Sequence, residues 1–218
     1  MKKQVYQCDL LIFDLDGTLV DTVSDLAQSV NYSLRSLGFK EQSFEHITGY
    51  IGDGVRKLLN RAFGSEDAEL IQKALEIFRD HYRIHICDFS KPYPGIEKIL
   101  DIFRNKKLSV LTNKTQEFAD ELLKELGFYD RFDLIIGGGA GYAYKPDPES
   151  IHVIMEKLCV TPDKTMIVGD SPNDIKAGKQ ALLKTCAVSY GYNSRQVLQE
   201  CDPDIIITHP EALLQHVR

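Results

Sequence analysis

Asp14 and Asp16 stand one residue apart, directly after the apolar run Leu10-Leu11-Ile12-Phe13, and Gly17-Thr18 turns the chain behind them. An apolar run of that length reads as a buried strand, so both carboxylates fall where the strand ends. Two like charges held together out of water are costly unless a cation or a shared proton compensates them. The pair therefore offers one carboxylate for a metal or a nucleophilic role and the other for proton transfer. A strand that merely ends in an acidic turn would read the same over these five residues, so the rest of the chain has to decide.

Other polar residues follow other apolar runs. Thr112 and Asn113 come after Leu108–Leu111, and Lys145 precedes Pro146 beyond the glycine run Gly137–Gly139. Gly169-Asp170-Ser171-Pro172-Asn173-Asp174 comes after Met166–Val168. Asp14, Asp170 and Asp174 could hold a hard divalent cation through oxygen. Magnesium fits, because it takes few carboxylates together with waters and a phosphate. Thr112 offers a hydroxyl donor and Lys145 a fixed positive charge. Donors, a cation and a metal around one point are what a transferring phosphoryl group requires. Each piece alone is ordinary: a strand-end threonine is commonly a turn residue, and the segment 169–174 could be a turn with a helix N-cap. The specific signal is that all four occur in order, each near a strand end.

These residues need a scaffold that gathers strand ends. Six short apolar runs, Leu10–Phe13, Leu108–Leu111, Leu134–Ile136, Met166–Val168, Cys186–Val188 and Ile205–Ile207, suit a parallel sheet buried on both faces. Helical stripes separate most of them: Ile96, Ile99, Leu100 and Phe103; Phe118, Leu122, Leu123 and Leu126; Ile151, Ile154, Met155 and Leu158. The alternation predicts an α/β fold with a doubly wound parallel sheet, and ligands then bind beyond the carboxyl ends of the strands. Between Asp21 and Cys87 only helical stripes occur, predicting an all-helical subdomain inserted after the first strand. Thr22 with Asp25 resembles a capping box for its first helix, and Lys91-Pro92-Tyr93-Pro94-Gly95 reads as a stiff hinge at its return. The division expected is residues 1–20 and 90–218 as the core and 21–89 as a helical cap able to close over the site and exclude water.

The chain has 218 residues, is 43% hydrophobic and 27% charged, and carries a formal net charge of -6. This is a globular composition, and its mild acidity argues against a nucleic-acid partner. Five scattered cysteines without a CxxC pair favour reduced thiols and a cytoplasmic protein. No run is long and apolar enough for a signal peptide or a membrane span. His81 and His85 have a metal-ligand spacing, but with no third ligand evident they read as a helix face. Gly137-Gly138-Gly139-Ala140-Gly141 lacks the ending of a nucleotide-binding loop and reads as a flexible approach to Lys145.

Together these motifs resemble the haloacid dehalogenase superfamily of hydrolases, in the form with a helical cap at the first insertion position, over essentially the whole chain. The segment 14–22 is similar to the family's first motif, Thr112 to the second, Lys145 to the third and the segment 169–174 to the fourth. The resemblance implies that Asp14 is the nucleophile forming an aspartyl-phosphate. Asp16 would be the acid toward the leaving oxygen and then the base toward water. It further implies magnesium on Asp14 and Asp170, on Asp174 directly or through water, and on the backbone carbonyl of Asp16. Thr112 and Lys145 would hold phosphoryl oxygens, with the amides of Leu15 and Asn113 as further donors. An aspartate at position 16 separates this chain from the dehalogenases proper, which lack that acid.

Within the superfamily, the cap segment 52–63 resembles that of phosphoglycolate phosphatases, a glycine-rich loop entering a helix. Such a loop can approach an anion closely, and Arg56 or Lys57 would pair with a substrate carboxylate or else face solvent. The expected partner is a small phosphorylated metabolite, and the expected assembly a monomer or homodimer. Pyrophosphatase, sugar-phosphate and nucleotide phosphatase are alternatives within the superfamily. A mutase resembling β-phosphoglucomutase is more remote, since the cap has no Gly-x-Ser-Arg segment and Thr18 replaces that family's usual valine. A non-catalytic interaction protein is also remote, because no motif residue is lost.

Overall fold

In the computed structural model, which describes residues 4–218, the chain alternates strands and helices as the apolar runs predict. The elements are β1 (Leu10–Phe13), β2 (Val20–Asp21), α1 (Val23–Ser36), α2 (Phe44–Thr48), α3 (Val55–Phe63), α4 (Ala68–Ile84) and β3 (Lys91–Pro92). There follow α5 (Ile96–Ile102), β4 (Lys107–Thr115), α6 (Gln116–Glu125), β5 (Leu134–Gly138) and α7 (Glu149–Leu158). The last are β6 (Thr165–Gly169), α8 (Pro172–Gln180), β7 (Lys184–Val188), α9 (Arg195–Glu200) and β8 (Ile205–Ile207).

Six strands form one parallel sheet in the order β5-β4-β1-β6-β7-β8. Alternation along β1 divides its side chains between two faces. Leu10 and Ile12 pack with Ile151, Ile154 and Met155 of α7 and with Ala177 of α8. Leu11 and Phe13 join Ile99 and Leu100 of α5 and Phe118 and Leu122 of α6. The sheet is thus covered on both sides, which explains why β1 is apolar at every position. Phe13 lies beside Val110 of β4 and Val168 of β6, so the residues after these three positions emerge at one edge.

Four helices, α1 to α4, occupy the stretch between β2 and β3. Their apolar stripes meet in a core of Val30, Leu34, Ile47, Leu59, Phe63, Ile71, Ala74 and Phe78, continuous with one face of the sheet. The periodicity does not reveal α2, because a five-residue helix with only Ile47 buried has no stripe to read. The expected hinge is a two-stranded antiparallel ribbon, with Val20 paired to Pro92 and Asp21 to Lys91.

The capping box expected at Thr22 and Asp25 does not form, and α1 begins without a side-chain cap. Thr22 Oγ1 donates instead to Asp16 Oδ1 at 2.7 Å. The buried Asp25 carboxylate accepts from the amides of Phe89 and Ser90 and from Ser90 Oγ. Asp16, in the turn before β2, draws Thr22 away, and the residues leading into β3 draw Asp25 away. Gly137 and Gly138 are also not a flexible approach. They end β5, where a Cβ on Gly137 would strike the Gln116 backbone and one on Gly138 the Tyr144 ring. All five cysteines are free, and no helix among the described residues is long and apolar enough to cross a membrane.

Candidate active site

Strand register brings the acidic residues together. The Asp14 amide donates to the Val168 carbonyl at 2.9 Å, which holds the end of β1 against β6 just before Asp170. Gly17, at φ +81°, turns the chain against the Asp170 carboxylate so closely that any side chain there would collide with it. Asp14, Asp170 and Asp174 are buried, and one carboxylate oxygen from each lies within 4.8 Å of the others.

Lys145 enters this cluster from the segment before α7. Its Nζ is 2.9 Å from Asp14 Oδ1 and 2.6 Å from Asp174 Oδ1, and it donates to the Leu111 carbonyl at 2.7 Å. Asp174 is fixed by Ser171, whose amide and hydroxyl donate to Oδ2 at 3.0 and 2.6 Å. Asp170 accepts from the Tyr192 amide at 2.7 Å and from Thr18 Oγ1 at 3.4 Å.

Burial pushes the Asp14 carboxyl up to about 7, against the pull of Lys145 and with the push of Asp174. Asp170 is raised well above its ordinary value by burial and by the charges of Asp14 and Asp174. Burial alone would lower Lys145, but the two aspartates outweigh it and raise its pKa. One ammonium among three buried carboxylates leaves the cluster short of positive charge. Oxygen donors at this spacing, with that deficit, suit a hard divalent cation.

Asp16 sits beside the cluster in a different environment. Its carboxylate accepts from Thr22 Oγ1 and from Lys114 Nζ at 3.0 and 3.2 Å. Thr112 Oγ1 accepts from the Lys114 amide at 3.2 Å, so its own proton remains to be donated. The Leu15 amide is turned onto Asp14 Oδ1 at 2.7 Å. The Asn113 side chain joins the Lys145 backbone to the cap: Nδ2 donates to the carbonyls of Gly52 and Lys145, and Oδ1 accepts from the Lys145 amide.

Arg56 and Lys57 do not reach this site. Both are exposed on α3, Arg56 donates to Gln72 at 2.9 Å, and neither lines the cavity at Asp14. The glycine loop before α3 approaches the core. The Gly52 carbonyl accepts from Asn113 and Asn173 of the core. A Cβ on Gly54 would come 3.2 Å from the Asn113 carbonyl and 3.3 Å from the Tyr144 ring. His81 and His85 are engaged elsewhere, with Ser29 and with Asp88.

Two contributors escape the motif reading. Lys114 is a buried cation facing the cavity, signalled only as a lysine at the end of an apolar strand. Tyr190-Gly191-Tyr192, after β7, also packs on the site: the Tyr190 hydroxyl donates to the Thr18 carbonyl at 3.1 Å, and Tyr192 Oη accepts from the Thr22 amide at 2.7 Å. Nothing in their spacing announces this.

A haloacid dehalogenase-like hydrolase family model matches residues 11–188. A curated relative from Aquifex aeolicus, named phosphoglycolate phosphatase, is 36% identical over 94% of this chain and 95% of its own length. One of the same name from Agrobacterium fabrum is 37% identical over 94% and 90%. The crystal structure of a predicted phosphoglycolate phosphatase from Haemophilus somnus superposes with a TM-score of 0.89 at 28% identity, covering 95% of this chain and 97% of that one. Strand order, the gathered carboxylates and this similarity along nearly the whole sequence agree: the chain belongs to the haloacid dehalogenase-like hydrolase family.

Proposed function

We propose that this protein is a magnesium-dependent phosphomonoester hydrolase whose substrate is 2-phosphoglycolate, cleaved to glycolate and phosphate. The observation that carries the reading is the buried triad of Asp14, Asp170 and Asp174 with Lys145 in contact, beside an Asp16 that is held separately. The names of the relatives from Aquifex aeolicus and Agrobacterium fabrum support the substrate.

In this reading Asp14 attacks phosphorus, and the ester oxygen leaves with a proton from Asp16. Water then attacks the phosphorus of the aspartyl-phosphate and gives a proton to Asp16, the bond from phosphorus to the Asp14 oxygen breaks, and inorganic phosphate leaves the regenerated carboxylate. Thr112 and Lys145 hold the phosphoryl oxygens as their charge shifts. The amides of Leu15 and Asn113 remain candidates for the same task; that of Leu15 would have to leave Asp14. Asp14 and Asp170, with Asp174 directly or through water and the Asp16 carbonyl, would hold Mg2+. Bound there, the ion would supply positive charge to the phosphoryl group and favour the ionised form of Asp14.

Residues 21–89 act as the cap in this account and residues 1–20 and 90–218 as the core. The contacts of Gly52 with Asn113 and Asn173, and the nearness of Gly54 to Asn113, support reading the cap as closed. Phosphate release should be measured on 2-phosphoglycolate, pyrophosphate, sugar phosphates and nucleotides, with magnesium and with excess chelator. The reading expects the highest kcat/KM for 2-phosphoglycolate and its loss under chelation. Full activity in chelator, or a clear preference for another class, would overturn it.

A further inference from the structure

Lys114 is the cation that lines the cavity at Asp14. The other cavity walls are mainly apolar, with Leu26, Ile51, Val55 and Leu58 from the cap and Phe78 and Phe118 beside them. The Lys114 side chain is 4% exposed. Its Nζ donates to both oxygens of Asp16 and to Tyr82 Oη at 2.8 Å, and lies 4.7 Å from the centre of the Tyr82 ring. A lysine buried this deeply needs anionic company.

The ester oxygen of a substrate must reach Asp16 if that residue protonates it. Whatever is bonded to that oxygen then lies next to the groups Asp16 already touches, Thr22 and Lys114, and of these two Lys114 lines the cavity and carries a charge. We propose that Lys114, assisted by the Tyr82 hydroxyl, is the residue that binds a carboxylate placed two bonds beyond the ester oxygen, and so selects short phosphorylated carboxylic acids. The proposal rests on the phosphatase reading above and gives its specificity a location, on the core strand β4 and the cap helix α4 rather than on Arg56 or Lys57.

Tyr82 is suited to the task. Burial, with the charges of Asp16 and Asp25, raises its pKa well above the ordinary value, so the phenol keeps its proton. Its oxygen accepts from Lys114, leaving that proton for a second carboxylate oxygen. The apolar walls offer little to the hydroxyls of a sugar, which would be desolvated there without partners. A compact anion with one methylene fits both features.

The test compares kcat/KM for 2-phosphoglycolate with that for ethyl phosphate, which has a methyl group where the carboxylate stands, in the wild type, Lys114→Met and Lys114→Arg. Taking the ratio of the two substrates within one sample cancels any difference in the folded fraction. Loss of a buried charge pair predicts that Lys114→Met lowers the ratio about 100-fold and that Lys114→Arg restores part of it. An unchanged ratio, including one in which both substrates fall equally, would overturn the proposal and leave Lys114 as a support for Asp16. A wild type that hydrolyses neither substrate would instead overturn the phosphatase reading, and the specificity role with it.

Discussion

Lys145 Nζ lies 2.9 Å from Asp14 Oδ1, joining the end of the first sheet strand to the segment that precedes α7. The contact is buried on both sides, and the same ammonium also holds Asp174. Lys145→Met removes the side-chain cation that contacts Asp14 and Asp174, two of the three crowded carboxylates. Phosphatase turnover should fall about 1000-fold, as expected for losing a preorganised positive group at a charge-developing centre. Steady-state kinetics on 2-phosphoglycolate check this; a loss under 10-fold would contradict the role.

Gly54 tests the closed cap. At φ +87° a side chain there is strained, and its Cβ would sit in tight contact, 3.2 Å from the Asn113 carbonyl and 3.3 Å from the Tyr144 ring. Gly54→Ala should lower kcat/KM by about 10-fold or more through strain of about 1–3 kcal/mol in the docked loop. The melting temperature should change far less than for a core substitution, because Gly54 lies outside the interior of α3. Equal kinetics in the two proteins would argue against docking of this loop during turnover.

Asp25 clasps the cap to the ribbon. Its carboxylate takes up two amides and a hydroxyl at residues 89 and 90. Asp25→Ala leaves those donors without their partner and should cost about 2–4 kcal/mol in urea unfolding. A cost below about 0.5 kcal/mol would show that the clasp contributes little.

Asp204 gives a pH signature away from the active site. Burial raises its pKa, but the Thr185 amide and hydroxyl and Lys184 outweigh burial and hold it below the usual 3.8. The folded form therefore binds its proton less readily than the unfolded form. Its contribution is complete above about pH 4 and disappears as pH falls through the folded-state value. Asp204→Ala should be about 0.5–1.5 kcal/mol less stable than the wild type at pH 7. The gap should narrow below pH 4, as read from thermal melts across pH; a gap that widens on acidification would contradict the assignment.

That Asp14, Asp170, Asp174 and Lys145 come together was legible because they sit at or near strand ends. Apolar runs mark the strands, parallel pairing aligns their carboxyl ends, and the polar residues after each run must then meet. Lys114 escaped because its meaning depends on Asp16 and Tyr82, which come from elements far away in the chain. Arg56 and Lys57 lie away from the carboxylate cluster for the opposite reason. A charged helix start after glycines suits an anion locally, but the stripe of Leu58, Leu59 and Ala62 turns the helix so that both charges face solvent. Thr22 and Asp25 have capping-box spacing, yet tertiary partners outcompete the local bonds.

The central claim is that Asp14 is the nucleophile, and phosphate release from 2-phosphoglycolate by Asp14→Asn in saturating magnesium tests it most directly. The account predicts a folded protein whose kcat is reduced by at least about 10,000-fold, since an amide cannot replace the attacking carboxylate. An Asp14→Asn protein that turns over within 10-fold of the wild type would contradict it.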